Sequence, residues 1–529
     1  MNSALITGMV FFFNAGNTFT GTVSIDDIQL GDPIPFTPGK ILINQVGYEL
    51  NGPKKAIFQL ENSTLPADSF YLITHPGNTV VFKEKLGIVK NVTGWTGRFF
   101  SEMDFSSFNQ TGTYKLKIGG NISYPFKIEF NLLFKETAEK VVQFFKGMRN
   151  TMAVDLNLSF NGPRNDAVNV YGGWSDATGD PGKHMSHLSY ANFFNPQQIP
   201  MVSWSMMKAY ELYPDGYASF ETALKEEVAW GTDYIVRNVD PAGYMYLSIF
   251  DDWGGAPSTR EITEWGQEPA CDYCRTPNYQ AAMREGTGIA IAALARAHST
   301  NISGTLSSQY LNSAITLYNH LKQPGTGYAT KNLEYCNNHE ENLLDYYCGL
   351  LAATELYKAT QTPVFLADAQ IYVDLILSLQ HEEGWLYSNN AKTRPFFHAA
   401  DEGLPILALE EFSSISNYKL PEISLFMNKW FEWYKNISTE ITNPFDYVRQ
   451  YGRPFAAGTM GTARKAFFVP QANETGYWWQ GENARISSMI PCLHMTTASN
   501  IVRKLYYRFS KRNAVVAPNK HATSLHPSE

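Results

Sequence analysis

The residue pattern predicts a multidomain chain: an immunoglobulin-like β-sandwich followed by an all-α barrel built from helical hairpins. From Lys40 to Ile128 the apolar residues fall in short runs with a period of two, and from Phe134 the period changes to 3.6. The long helical stretch shows no fixed-length repeat, which favours a closed double ring of hairpins over a solenoid. The chain has 529 residues, enough for two to four domains at about 150 residues each. With 44% hydrophobic and 17% charged residues it belongs with globular proteins, which excludes disorder, collagen and coiled coil.

In chain order, residues 1–32 contain TGTVSIDDIQLGD, whose alternation reads as one strand with one buried face. One strand cannot be a domain, so the segment reads either as the remnant of a carbohydrate-binding β-sandwich or as an edge strand added to the next domain. Pro33, Pro35 and Pro38 break the chain. The runs ILINQVGY, KKAIFQL, FYLITH, TVVFKEKL, GTYKLKI and YPFKIEF then place a sandwich over residues 40–128, where about seven short strands at even spacing are the immunoglobulin pattern. Helical spacing in FKETAEKVVQFFKGM, FETALKEEVAWGTDYIV, GIAIAALARAH, ENLLDYYCGLLAATELY, FLADAQIYVDLILSL, ISLFMNKWFEWY and NIVRKLYYRF assigns residues 130–510 to the barrel. Residues 511–529 are polar and contain Pro, and read as a disordered tail.

Charge narrows the partners. Lys and Arg number 42 against 50 Asp and Glu, a net −8, and no dense basic stripe precedes the C-terminal tail, so nucleic acid and anionic membranes are poor partners. No apolar stretch is long enough to span a bilayer, since even GIAIAALARA is short and carries an Arg. A neutral polar substrate fits. Five cysteines are too few for a disulfide scaffold. Eight Asn-x-Ser/Thr sequons, at Asn62, Asn91, Asn109, Asn121, Asn157, Asn301, Asn436 and Asn473, point to a secreted protein, although the N-terminus shows no signal peptide and its true start reads as missing.

Chemistry concentrates in three places. The stretch 171–200, YGGWSDATGDPGKHMSHLSYANFFNPQQIP, is punctuated by Gly and Pro and is expected to be a loop. Its Asp176 and Asp180 are four apart, near enough in a turn either to hold and deprotonate a water or to serve as two turn-capping residues. In TGYWWQGENARISSM, Glu482 follows Tyr477, Trp478 and Trp479. A carboxyl beside indole rings has its pKa raised, as a general acid requires, while the bland alternative is a first-turn helix Glu with core tryptophans. In NAKTRPFFHAADEGLPILAL, His398 could bind a substrate hydroxyl or be a satisfied core His, and Asp401 could be an N-cap.

Taken together, ILINQVGYELNGPKKAIF, GGWSDATGDPGKH, REGTGIAIAALARA, NLLDYYCGLLAATELY and GYWWQGENAR resemble family 9 glycoside hydrolases, the cellulase family, with its N-terminal immunoglobulin-like domain and its (α/α)6 barrel. The resemblance spans about residues 40 to 505. It implies Asp180 as catalytic base, Asp176 as its partner on the nucleophilic water, Glu482 as general acid and His398 in the substrate-binding region, all acting on β-1,4-linked glucans with inversion. Sugar rings stack on aromatic faces, so Trp174, Tyr477, Trp478 and Trp479 are platform candidates, each with core as its alternative. The Asp loop is one residue longer than the usual Asp-Ala-Gly-Asp, and with the GENAR motif it resembles the exo-acting members, β-glucosaminidases among them. An amine at the substrate's 2-position would suit Asp401. A non-catalytic carbohydrate-binding protein is the reading from another class.

No cofactor is required for this chemistry. Cys271, Cys274, Cys336 and His339 are four residue types that could hold a structural zinc tetrahedrally, and a disulfide from Cys271 or Cys274 to Cys336 is the alternative, free thiols the third. Cys348 and Cys492 read as core residues.

Overall fold

The alternating runs close into two sheets. The computed structural model describes residues 39–92, 98–175, 183–184, 198–250, 257–265, 275–336, 338–396, 402–441, 444–445, 447–452, 455–456, 459–460 and 462–466. The strand expected within residues 1–32, the helix expected at NIVRKLYYRF and the tail 511–529 lie outside them. The chain divides into two compact units, the sandwich through Glu136 together with Pro444–Phe445, and the helical unit from Thr137.

The sandwich strands are β1 (Lys40–Leu42), β2 (Tyr48–Glu49), β3 (Lys55–Leu60), β4 (Ser69–Thr74), β5 (Val80–Lys85), β6 (Lys90–Asn91), β7 (Phe99–Asp104), β8 (Gly112–Ile118), β9 (Asn121–Ile122) and β10 (Phe126–Glu129). One sheet runs β1-β3-β7-β6 and the other β2-β10-β8-β4-β5, with β9 beside β8. Phe58, Phe70, Leu72, Met103, Phe105, Leu116, Ile118 and Ile128 are buried in the resulting core. Each such side chain contributes about 1.5–3 kcal/mol on leaving water. Strand β7 escapes the alternation rule because Phe100 and Ser101, adjacent in sequence, are both buried. Lys54 is buried as well, which drags its pKa down to about 8 through desolvation. Its ammonium is tolerated because it donates to Leu50 O, Gly52 O and Asn109 Oδ1, one acceptor for each proton.

The helices are α1 (Leu132–Gly147), α2 (Gln198–Leu212), the short α3 (Pro214–Tyr217), α4 (Glu221–Arg237), α5 (Thr287–Ser299), α6 (Tyr310–Lys322), the short α7 (Lys331–Tyr335), α8 (Leu343–Thr360), α9 (Pro363–Ser378), α10 (Leu404–Ser413) and α11 (Leu420–Thr439). Thr287–Ala297 of α5 and Leu343–Leu356 of α8 are buried all round, the signature of inner helices. Helix α11 instead buries one stripe, Ile423, Phe426, Met427, Trp430, Phe431, Trp433, Tyr434 and Ile437, as an outer helix does. α5 packs on α2, α6 and α8, and α8 on α9 and α10, so α2, α5, α8 and α10 form the described inner wall. Near the C-terminal ends of these four helices sits a buried ion network. Glu411 takes Lys208 Nζ at 2.6 Å, Lys358 Nζ at 2.6 Å and Arg296 Nη2 at 3.2 Å, and Arg296 Nε also reaches Glu355 at 3.0 Å.

The helical stretch is not free of strands, contrary to the reading of its period. β13 (Lys183–His184), β14 (Ser248–Phe250), β15 (Glu261–Trp265) and β16 (Arg275–Thr276) form an antiparallel sheet, so the expected loop 171–200 contains a strand and also the first turn of α2. Two- to five-residue strands are too short to impose a period of their own on a sequence window. β11 (Leu158–Ser159) pairs with β12 (Ala167–Val168), β17 (Gln450–Gly452) with β20 (Arg464–Ala466), and β18 (Phe455–Ala456) with β19 (Thr459–Met460).

Candidate active site

The chain enters the acidic loop through a locked turn. Gly172 and Gly173 take φ of +115° and +71°, and a Cβ on Gly173 would stand 3.0 Å from Ile199 Cδ1 and 3.1 Å from Tyr234 Cδ1. Only glycine meets both demands cheaply. Gly173 O accepts from Trp230 Nε1 at 2.7 Å, and Tyr171 O accepts from Arg237 Nη1 at 3.0 Å, so α4 holds this turn along its length. Trp174 is next, buried against Phe145 with its Nε1 donating to Glu227 Oε2 at 3.2 Å. Arg149 balances that glutamate at 2.6 Å. Ser175 N is tied to Met148 O, and the next residue in the chain is Asp176.

This placement corrects the platform reading of Trp174: at 4% exposure, with its polar edge spent on Glu227, the indole is a structural anchor. Asp176, Asp180, His398, Asp401, Tyr477, Trp478, Trp479 and Glu482, with Cys271 and Cys274, lie outside the described residues.

Polar side chains fasten the N-termini of α5 and α8 together. Asn342 and Asp345 cap α8 reciprocally, Asn342 Oδ1 accepting from Leu344 N and Asp345 Oδ2 from Asn342 N. Arg284, just ahead of α5, reaches Asp345 at 3.4 Å, Asn338 Oδ1 at 2.6 Å and Glu340 O at 3.0 Å. Asn332 accepts from Met283 N at 2.7 Å and donates to Glu341 at 2.8 Å. The segment leading toward His398 and Asp401 joins the same end: Leu343 N donates to Ser388 O, Ser388 N to Arg394 O, and Asn390 Nδ2 to Tyr346 Oη at 2.6 Å. Sequence reasoning missed this ring of caps, although the N-x-x-D of ENLLD was its visible signal.

Desolvation governs the electrostatics of that end. Burial pushes the Glu285 carboxyl up to about 8 against the partial relief of Arg284, and raises Glu341 as well. Glu285 is therefore largely protonated at neutral pH, and its Oε2 accepts from Ala282 N at 3.0 Å.

Cys336 is a free buried thiol that donates to Asp345 Oδ1 at 3.6 Å, and burial lifts its pKa well above the ordinary value. A disulfide to Cys336 is thereby corrected, its sulfur being enclosed with a carboxylate partner. His339 stands exposed, stacked on Tyr328 at 4.4 Å with Nδ1 toward Leu333 O. The two therefore face different surroundings and do not fit one zinc ion. Among the described residues no three His, Cys, Asp or Glu side chains group as metal ligands.

A two-sheet sandwich is followed by a unit of helices buried all round within helices that bury one stripe. Residues 37–123 match the cellulase N-terminal ig-like domain, and residues 134–487 match glycosyl hydrolase family 9. The chain belongs to glycosyl hydrolase family 9, as a cellulase-type glycoside hydrolase with an (α/α)6 barrel. Solved structures share the fold at low identity. The Bacteroides ovatus family 9 structure has a TM-score of 0.58 and 16% identity, over 89% of this chain and 83% of that one. A metagenome-derived family 9 endoglucanase has 0.58 and 15%, over 90% and 83%. AaCel9A, solved in complex with cellobiose-like isofagomine, has 0.56 and 16%, over 90% and 81%. No curated protein matches the chain.

Proposed function

We propose that the protein hydrolyses β-1,4 bonds of cellulose-type gluco-oligosaccharides with inversion at the anomeric carbon. The observation that carries this is the family 9 match across residues 134–487, which takes in both the Asp176–Asp180 loop and Glu482. Asp180 acts as base and, with Asp176, holds the nucleophilic water, while Glu482 protonates the leaving oxygen. Inversion needs the acid and the base about 6.5–9.5 Å apart, a separation suited to carboxylates from an early loop and a distant C-terminal segment. The anchored turn from Gly172 to Ser175 supports the reading, because it fixes the entry to the loop that must place its water within a fraction of an ångström. Tyr477, Trp478 and Trp479 supply the sugar platform, and His398 and Asp401 bind hydroxyl or amine substituents. Action outside the cell fits a polymeric substrate, and the chain is taken to be secreted.

The test is product analysis, by mass and anomeric form, with cellotetraose and a chitosan tetramer supplied separately to wild type and Glu482→Ala. Inverted product from cellotetraose that vanishes in the variant is the expected result. Glucosamine released from the chitosan tetramer alone would reassign the enzyme to exo-β-glucosaminidase action, which the longer Asp loop suggests. Binding without cleavage of either sugar would reduce it to a carbohydrate-binding protein.

A further inference from the structure

We infer that Asn62, Asn157 and Asn301 carry N-linked glycans and that Asn121, with the same sequence signature, does not. Sequence cannot separate these sequons; their surroundings do.

In the helical unit two sequons share one construction. Asn157 and Asn301 are exposed, while the middle residue of each, Leu158 at 1% and Ile302 at 5% exposure, is driven into the core. The buried residue pins the backbone and turns the asparagine outward, where a large hydrophilic group displaces no protein contact. Asn157 stands at the end of a 3-10 turn, its amide N–H on Val154 O, and Asn301 lies just past the C-cap of α5 in a left-handed conformation at φ +54°. Ser159 and Ser303, the sequon hydroxyls there, are exposed as well.

In the sandwich Asn62 lies in a loop with Ser63 and Thr64 all exposed, and its Oδ1 accepts from Thr64 N at 2.9 Å. That turn brings the third residue of the sequon back onto the asparagine side chain.

Asn121 is the contrasting case. It sits in the tight β8–β9 hairpin, half-buried, with Nδ2 donating to Ile118 O at 3.4 Å. A Cβ built on Gly39 would stand 2.9 Å from that same nitrogen, so the atom that would bear the sugar is crowded by backbone. Its sequon hydroxyl, Ser123 Oγ, is committed to Leu116 N and Tyr124 O.

The donor is an oligosaccharide linked to a polyprenyl diphosphate in a secretory lumen. The asparagine Nδ2 attacks C1 of the first sugar and the C–N bond forms. The bond from C1 to the diphosphate oxygen breaks, the diphosphate leaves with its electron pair, and the amide gives up one proton. No electron is gained or lost by either partner.

The test uses the full chain isolated from the cells that make it, treated with peptide N-glycosidase in heavy-oxygen water and mapped by mass. The expected result is a fall in intact mass, heavy-oxygen aspartate at positions 62, 157 and 301, and Asn121 recovered as asparagine. Equal masses before and after treatment, heavy label at Asn121, or an unlabelled Asn62, Asn157 or Asn301 would overturn the inference. The triple variant N62Q/N157Q/N301Q, secreted from a eukaryotic host, should show a smaller gel shift on glycosidase treatment and keep its activity on cellotetraose. An unchanged shift in that variant also counts against it.

Discussion

Trp174 donates its indole N–H to Glu227 Oε2 at 3.2 Å, two residues ahead of Asp176. Because Glu227 is buried and charge-balanced by Arg149, this bond ties the start of the acidic loop to the middle of α4. An error in the ring position passes into the loop through a single intervening residue, Ser175.

Trp174→Phe keeps most of the ring and deletes the donor. Leaving a buried carboxylate short of one hydrogen bond costs about 1–3 kcal/mol, so the urea midpoint should fall. Displacing the loop by about an ångström costs on the order of 10²-fold in rate. The expected kinetic signature on cellotetraose is a kcat loss with KM nearly kept, and a variant with unchanged kcat would separate Trp174 from the loop.

Gly231→Ala approaches the same contact from α4. The new methyl would stand 2.2 Å from Ser203 Oγ and 2.4 Å from Trp174 Cη2, distances that force the indole to move. Overpacking of this kind costs about 1–3 kcal/mol. Thermal melts should show the loss, and combining Gly231→Ala with Trp174→Phe should cost less than the sum of the two, since both act on one ring.

Both folds were legible in the period of the apolar residues, and Gly172 with Gly173 advertised a turn before Asp176. What the period could not show was direction. Trp174 looked as suitable for a sugar as for a core, because only the position of Glu227, 53 residues on, decides which way the indole points. Cys336 was equally ambiguous until Asp345 stood beside it. The small sheet of β13 to β16 was hidden because its strands pair across long separations, Lys183 with Ile249 and Ser248 with Thr263, leaving no local trace.

Glu411→Ala should be among the costliest single changes in the barrel. It takes the shared carboxylate from Lys208, Lys358 and Arg296, three cations drawn from α2, α8 and α5, of which Arg296 keeps Glu355. Breaking a buried pair from one side costs about 3–5 kcal/mol. Because these cations hold the carboxyl down at about 2 despite its burial, the wild-type contribution is complete well above pH 4.5 and is lost progressively as pH falls from there through about 2. Urea midpoints should therefore show a wide gap between wild type and variant at pH 7, a clearly narrower one at pH 3, and the smallest near pH 2.

Glu285 works in the opposite sense. Its carboxyl is held near 8 in the fold by desolvation, against an ordinary value of 4.5, so between those limits the native state binds the proton and the unfolded chain does not. Its stabilising contribution is complete below pH 4.5 and is lost as pH rises through about 8. The facing charges are Arg284, Glu264 and Asp345, of which only the arginine favours ionisation. Glu285→Gln keeps an acceptor for Ala282 N and has no proton to lose. Calorimetric Tm measured from pH 4.5 to 8 should fall less steeply in the variant than in wild type, with the remaining slope due in part to Glu341, whose carboxyl is raised in the same direction. Parallel Tm profiles would show that Glu285 ionises freely in the folded protein, and that the N-terminal end of α5 is open to water.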